Sequence, residues 1–150
     1  MQIARPRDAD VEGWLALRRA LWPDCPDADH RTETAEIRTD PRSLALVAVA
    51  PPGEVVAFAE ARMRQDPVNG CATTPVVFLE GIFVTEAFRR RGIARALIEA
   101  VEAWGAAAGC REFASDALID NVRSHAMHRA LGFAETERVV YFRKIIPAQA

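Results

Sequence analysis

Cysteine is scarce in this chain. Its 150 residues include three, Cys25, Cys71 and Cys110, widely separated and in no Cys-x-x-Cys pattern. An odd, scattered set speaks against a disulfide framework and against a zinc cluster, so no metal site is expected and a reducing cytoplasm is the natural setting. Tyrosine is scarcer still, with Tyr141 alone. Net charge is nearly absent: the formal value is −2. A sequence-independent nucleic-acid binder needs a broad basic face, so that partner class is excluded. No apolar run approaches the roughly 20 residues that span a bilayer, and Met1–Asp8 lacks the apolar stretch of a secretory signal. Repeats, low-complexity tracts and long linkers are also missing. With half its residues hydrophobic, the chain reads as one domain over 1–150 with a core that needs no staples.

The elements present are short and alternate in type. Gln2–Pro6 reads as a strand. Asp8 or Asp10 is placed to cap a helix carrying Val11, Trp14, Leu15, Arg18 and Leu21 at helical spacing. Pro23 and Pro26 break it, and Asp29–Arg38 reads as a polar surface helix. Ser43–Ala50 and Val55–Met63 form a hairpin around Pro51-Pro52-Gly53. Residues 65–75 make a loop long enough to suggest a functional role. Val76–Val84 is a central strand interrupted by Glu80-Gly81, which predicts a bulge. A helix from Ile93 ends at Gly109; a strand at Arg111–Ser115, a helix at Asn121–Leu131 and a last strand at Val139–Ile146 complete the chain. The fold class is α/β, or α+β, with a central mixed β-sheet flanked by helices.

The turn Arg89-Arg90-Arg91-Gly92-Ile93-Ala94 lies between the central strand and the long helix. A helix N-terminus there exposes backbone N–H groups and a favourable dipole end. Gly92 lets an anion approach the backbone, and the arginines add charge and directed donors. A solvated basic turn is the plainer alternative.

This strand–turn–helix segment resembles the pyrophosphate-binding signature (Gln/Arg)-x-x-Gly-x-(Gly/Ala) of the GCN5-related N-acetyltransferase (GNAT) family. The likeness continues through Asn121, His128 and Leu131-Gly132-Phe133. It implies a GNAT fold and acetyl-CoA as co-substrate, held by Arg89, Arg90, Arg91, Gly92, Ile93, Ala94, Arg95, Asn121 and His128. It also implies that the backbone of Ile82, Phe83 and Val84 pairs with the pantetheine arm, with the Val84 N–H region polarising the thioester. Many members carry tyrosine where this chain has His128. Histidine can donate a proton or simply pack within its helix, so the general acid stays open.

Further stretches resemble the aminoglycoside 6′-N-acetyltransferases within that family: Leu21-Trp22-Pro23, Val68-Asn69-Gly70-Cys71, Pro75–Val84, Gly109-Cys110-Arg111-Glu112, Ala114-Ser115-Asp116 and Glu135-Thr136-Glu137-Arg138-Val139. The likeness implies that Trp22, Glu80, Asp116 and Glu137 line the acceptor pocket, with Asp66 and Pro67 on a neighbouring wall. It also implies resistance to such drugs, and a homodimer with the final strand near its interface. Carboxylates from separate elements suit a polycationic sugar, and an indole suits its apolar face. Plainer roles exist: Trp22 fits a core, Asp116 a turn or cap, and Glu137 a solvated strand face. Glu80 is different, because a carboxylate in an apolar strand is costly unless it opens into a site. It is the candidate general base for direct attack of the amine, assisted by Asp116, with backbone donors stabilising the oxyanion. Acetylation of another small polycationic amine, or of a peptide amine, is the competing reading; a non-catalytic acetyl-CoA-binding module is the third.

Overall fold

The computed structural model describes residues 1–149. Its centre is the run β2 (Ser43–Ala50), β3 (Glu54–Arg64) and β4 (Val76–Val84). These strands are antiparallel neighbours; β1 (Gln2–Ala4) pairs antiparallel with β2, and β5 (Phe113–Ala114) pairs parallel with β4. The sheet is therefore mixed, in the order β1-β2-β3-β4-β5.

The apolar run in β2 follows from burial on both faces. Leu44, Leu46, Ala48 and Ala50 meet Leu97, Ile98 and Val101 of α3 (Ile93–Ala107). Ala45 and Val47 turn to the opposite face, where Trp14 and Leu17 of α1 (Val11–Leu21) pack with Phe58. A strand covered on both sides shows no polar alternation, unlike one with a wet face. The polar α2 (Asp27–Thr39) lies beside α1 and sends His30 and Thr34 inward.

Several boundaries differ from the sequence reading for local reasons. Asp10 does not cap α1 with its side chain. It accepts from the Arg7 backbone N–H at 2.8 Å and from the Arg7 guanidinium at 3.1 Å, tightening a short 3-10 turn ahead of the helix. α4 (Val122–Ala130) is capped by Asn121, whose Oδ1 accepts from the Ser124 N–H at 3.2 Å; Asp116 is not the cap.

The strand expected at Val139–Ile146 does not form. Residues 133–149 have no regular secondary structure, and Val139, Val140, Tyr141, Phe142, Ile145 and Ile146 are 47–93% exposed. A strand exists only where a neighbour satisfies its N–H and C=O groups. Among the described residues no strand pairs with this segment.

Candidate active site

The site begins at a fault in the sheet. Glu60 of β3 faces Gly81 of β4, but Ala61 faces Leu79, so Glu80 is the unmatched residue of a bulge. The bulge turns the Glu80 carboxylate out of an otherwise apolar strand and into solvent-accessible space. Two depressions meet there. One, of about 770 Å³, is bordered by Trp22, Glu80 and the α1–α2 region. The other, of about 530 Å³, lies between Arg42, Arg62, Arg64, Asp66 and Glu80.

The larger cavity is acidic. Asp24, Glu33, Glu36, Asp40, Glu60 and Glu80 line it against two guanidiniums, Arg18 and Arg62. Incomplete solvation raises the pKa of Glu80. Arg64 opposes that rise, Asp116 adds to it as a like charge, and Arg62 again opposes. Asp116 lines neither depression, and its influence on Glu80 is a lesser, through-space one.

Beneath the cavity floor is a buried polar network. Arg18, 2% exposed, forms ion pairs with Glu60 and Glu33, and its Nε donates to His30 Nδ1 at 3.1 Å. The Trp14 Nε1–H donates to Glu60 at 3.0 Å. Burial pushes the Glu60 carboxyl upward, while Arg18 and Trp14 act against it. Cys25, His30 and Glu33 have ligand-type atoms within 4.8 Å of one another. His30 nevertheless has no free lone pair, because Nδ1 accepts from Arg18 and Nε2 then donates to the Trp22 carbonyl at 3.3 Å.

The opposite edge of β4 suits an extended, anionic co-substrate. β5 pairs with β4 only at Val77 and Phe78, leaving Ile82, Phe83 and Val84 with β3 on one side and, among the described residues, no strand on the other. Beyond them the hydroxyl of Thr85 is buried without a partner. Arg90 (φ 63°) and Gly92 (φ 78°) are both left-handed, and this double turn starts α3. The first turn of α3 has no acidic residue, and a Cβ at Gly92 would meet nothing within 4 Å. Unpaired N–H groups, open space and nearby arginines fit a phosphate group.

The Acetyltransferase (GNAT) family model matches residues 14–133. The chain belongs to the GNAT acetyltransferase family. It is 47% identical over 144 residues to an aminoglycoside N(6′)-acetyltransferase type 1 of Salmonella enteritidis, covering 96% of this chain and 99% of that protein. Its fold matches AAC(6′)-Iy, solved with a bisubstrate analogue, CoA-S-monomethyl-acetylneamine, at TM-score 0.91 and 46% identity over 97% of this chain and 98% of that one. AAC(6′)-Ih from Acinetobacter baumannii matches at TM-score 0.92 and 49% identity over 97% and 99%.

Within this GNAT frame the cofactor-side residues differ in what they already bind. Arg89 donates to the Val84 carbonyl at 2.9 Å, and Arg91 lies over the Phe88 ring. Arg95 donates to the Ala130 carbonyl at 2.6 Å, tying α3 to the end of α4. The Asn121 amide oxygen is occupied by its cap. His128 is held at both nitrogens: Nδ1 donates to the Ser124 carbonyl at 2.7 Å, so Nε2 accepts from the Ser115 hydroxyl at 2.7 Å. Phe133 packs edge-on against its ring. His128 is thus a packed helix residue hydrogen-bonded to Ser115.

On the acceptor side, Trp22 and Glu80 share the larger cavity, and Asp66 lines the smaller one while paired to Arg64 at 2.6 Å. Pro67 is exposed and lines neither. Glu137 is exposed and lines neither cavity; its neighbour Thr136 packs on Gly70 of the 65–75 loop. That loop is fastened again by Glu112, which accepts from the backbones of Ala72 and Thr73 at 2.9 and 2.7 Å.

Sequence reasoning missed the carboxylates of the α1–α2 loop and α2, which read as an ordinary polar surface. It also missed the Arg18–Glu60 pair. The usable signal was the one noticed at Glu80: a charge inside an apolar pattern, here Arg18 in the α1 stripe and Glu60 in β3.

Proposed function

We propose that this chain is an aminoglycoside 6′-N-acetyltransferase, transferring acetyl from acetyl-CoA to the 6′-amine of a polycationic aminosugar. The observation that carries this reading is a carboxylate-lined cavity meeting the bulged strand at Glu80, in a chain 46–47% identical to proteins named for that activity. Competing amines of peptide type suit the cavity less, because with Arg18 already paired to Glu60 and Glu33 the remaining carboxylates, Asp24, Glu36, Asp40 and Glu80, face Arg62 and favour an acceptor with several ammonium groups.

When bound, acetyl-CoA supplies an acetyl thioester activated toward amines. The chain's residues do the rest. The β4 edge at Ile82–Val84, the Thr85 hydroxyl and the N–H groups opening α3 orient the co-substrate, with Arg89, Arg90 and Arg91 screening its charge. Glu80, directly or through a water, takes the proton that the acceptor ammonium must lose. For an amine pKa of about 8–10, holding the neutral form at pH 7 costs about 1.4–4 kcal/mol. Asp116 supports this role by raising the Glu80 pKa. Backbone donors at the end of β4 stabilise the charge that develops on the carbonyl oxygen. Trp22 forms an apolar wall for a sugar ring.

A thiol-release assay with acetyl-CoA tests the reading. Aminoglycosides bearing a 6′-amine will turn over, and their 6′-hydroxyl analogues will not. Equal rates on both would remove the regiochemistry.

We read residues 1–150 as one domain, since a single sheet carries both apolar clusters. The three free cysteines suit a reducing compartment such as the cytoplasm. Assembly as a homodimer is supported by the run Val139–Ile146, whose large side chains are too exposed for a lone soluble chain. A second copy can supply the missing strand neighbour. Sedimentation at micromolar concentration is expected to give a dimer, and Phe142→Glu a monomer; a monomeric native chain would sink this part.

A further inference from the structure

Trp22 occupies an unusual seat. Its indole lies on the bare Cα of Gly81, the residue next to Glu80: a Cβ built there would come 2.4 Å from Cζ2 and 2.6 Å from Cη2 of that ring. Two other groups hold the indole, and a third anchors its backbone. Phe58 meets it edge-on, with centroids 5.9 Å apart. The Arg18 guanidinium lies over it, 4.8 Å from the centroid. The Trp22 carbonyl accepts from His30 at 3.3 Å. Arg18 is in turn held by Glu60, which stands opposite Gly81 across the β3–β4 ladder. The contacts close a circuit: Gly81, Glu60, Arg18, Trp22 and back to Gly81.

We infer that Gly81 is a positioning residue for the acceptor, its missing side chain being the seat that sets the Trp22 indole at a fixed depth beside Glu80. The inference rests on the reading of Trp22 as an acceptor wall. Gly81 has no positive φ, so the backbone does not demand glycine; the space demands it. A methyl group at this position cannot share the seat. The ring is clamped by Phe58 and Arg18, so it must tilt out of its seat, and the acceptor amine loses its register with the carboxylate. The same bulge that exposes Glu80 therefore also places the surface against which the acceptor rests.

Steady-state kinetics with an aminoglycoside acceptor test this. Gly81→Ala is expected to raise the acceptor KM at least tenfold and to leave the acetyl-CoA KM within twofold. On a Trp22→Ala background the same substitution is expected to change the acceptor KM less than twofold, because the severe clash is gone and the remaining contact, Leu21 Cδ2 at 3.1 Å, is the end of a side chain that can shift. An unchanged acceptor KM in Gly81→Ala, or a full further loss on the Trp22→Ala background, overturns the inference. If Gly81→Ala does not fold, the double variant decides. Its recovery as folded protein assigns the conflict to the indole, and its failure shows that Gly81 is needed for something else. Trp22→Ala alone tests the underlying reading, since an unchanged acceptor KM there removes the wall itself.

Discussion

Glu80→Gln will lower kcat/KM for the acceptor about 10- to 100-fold while leaving the acetyl-CoA KM near its native value. The amide keeps the shape and some hydrogen bonding of the carboxylate but cannot take a proton. The pH dependence makes the test specific. A general base works when deprotonated, so native kcat/KM falls as pH falls through the Glu80 pKa. That limb lies above the usual carboxylate range, because the carboxylate is poorly solvated and Asp116 repels its charge. Asp116→Asn removes a raising influence and moves the limb to lower pH. Arg64→Met removes a lowering influence and moves it to higher pH. Ionisation of the acceptor amine adds the same limb to every variant, so differences between variants belong to the enzyme. A Glu80→Gln enzyme with native kcat/KM and a native acid limb would remove Glu80 as the base.

Arg18→Ala will cost the fold about 3–5 kcal/mol, the usual penalty for stripping one partner from a buried ion pair. The side chain is 2% exposed and holds Glu60 and Glu33, donates to His30 and covers Trp22. Its loss leaves the Glu60 carboxylate buried with only the Trp14 indole N–H as donor. Glu60→Gln will cost less, since no uncompensated anion remains, although its single amide oxygen can keep only one of the Trp14 and Arg18 donors, which bind different carboxylate oxygens. Urea unfolding at a fixed protein concentration measures both, the concentration being held because a dimer's stability depends on it. A loss below 1 kcal/mol for Arg18→Ala would show the network to be dispensable.

Particular elements show where local pattern suffices. The bulge at Glu80-Gly81 was legible because a carboxylate in an apolar strand has few tolerable solutions, and the structure exposes it by that route. The turn at Arg89–Ala94 was legible because glycine before an amphipathic helix is a local backbone requirement, met at φ 78°. The hairpin of β2 and β3 was legible from its prolines and glycine. The acidic lining of the cavity was not, because Glu33, Glu36 and Asp40 look in sequence like any solvated helix face and its end. Nor was the fate of Val139–Ile146, because a strand needs a partner that no local pattern supplies.

The sequence by itself determined the family, the identity of the base candidate and the glycine turn that opens α3. All three rest on contiguous residues whose chemistry is constrained within a few positions. Tertiary structure decided the rest: that α2 supplies carboxylates to the cavity at Glu80, that Arg18 and Glu60 neutralise each other 42 residues apart, and that an indole rests on Gly81. Those pairings join segments distant along the chain, and only the packed sheet and helices select which of many equivalent charges and rings come to face one another.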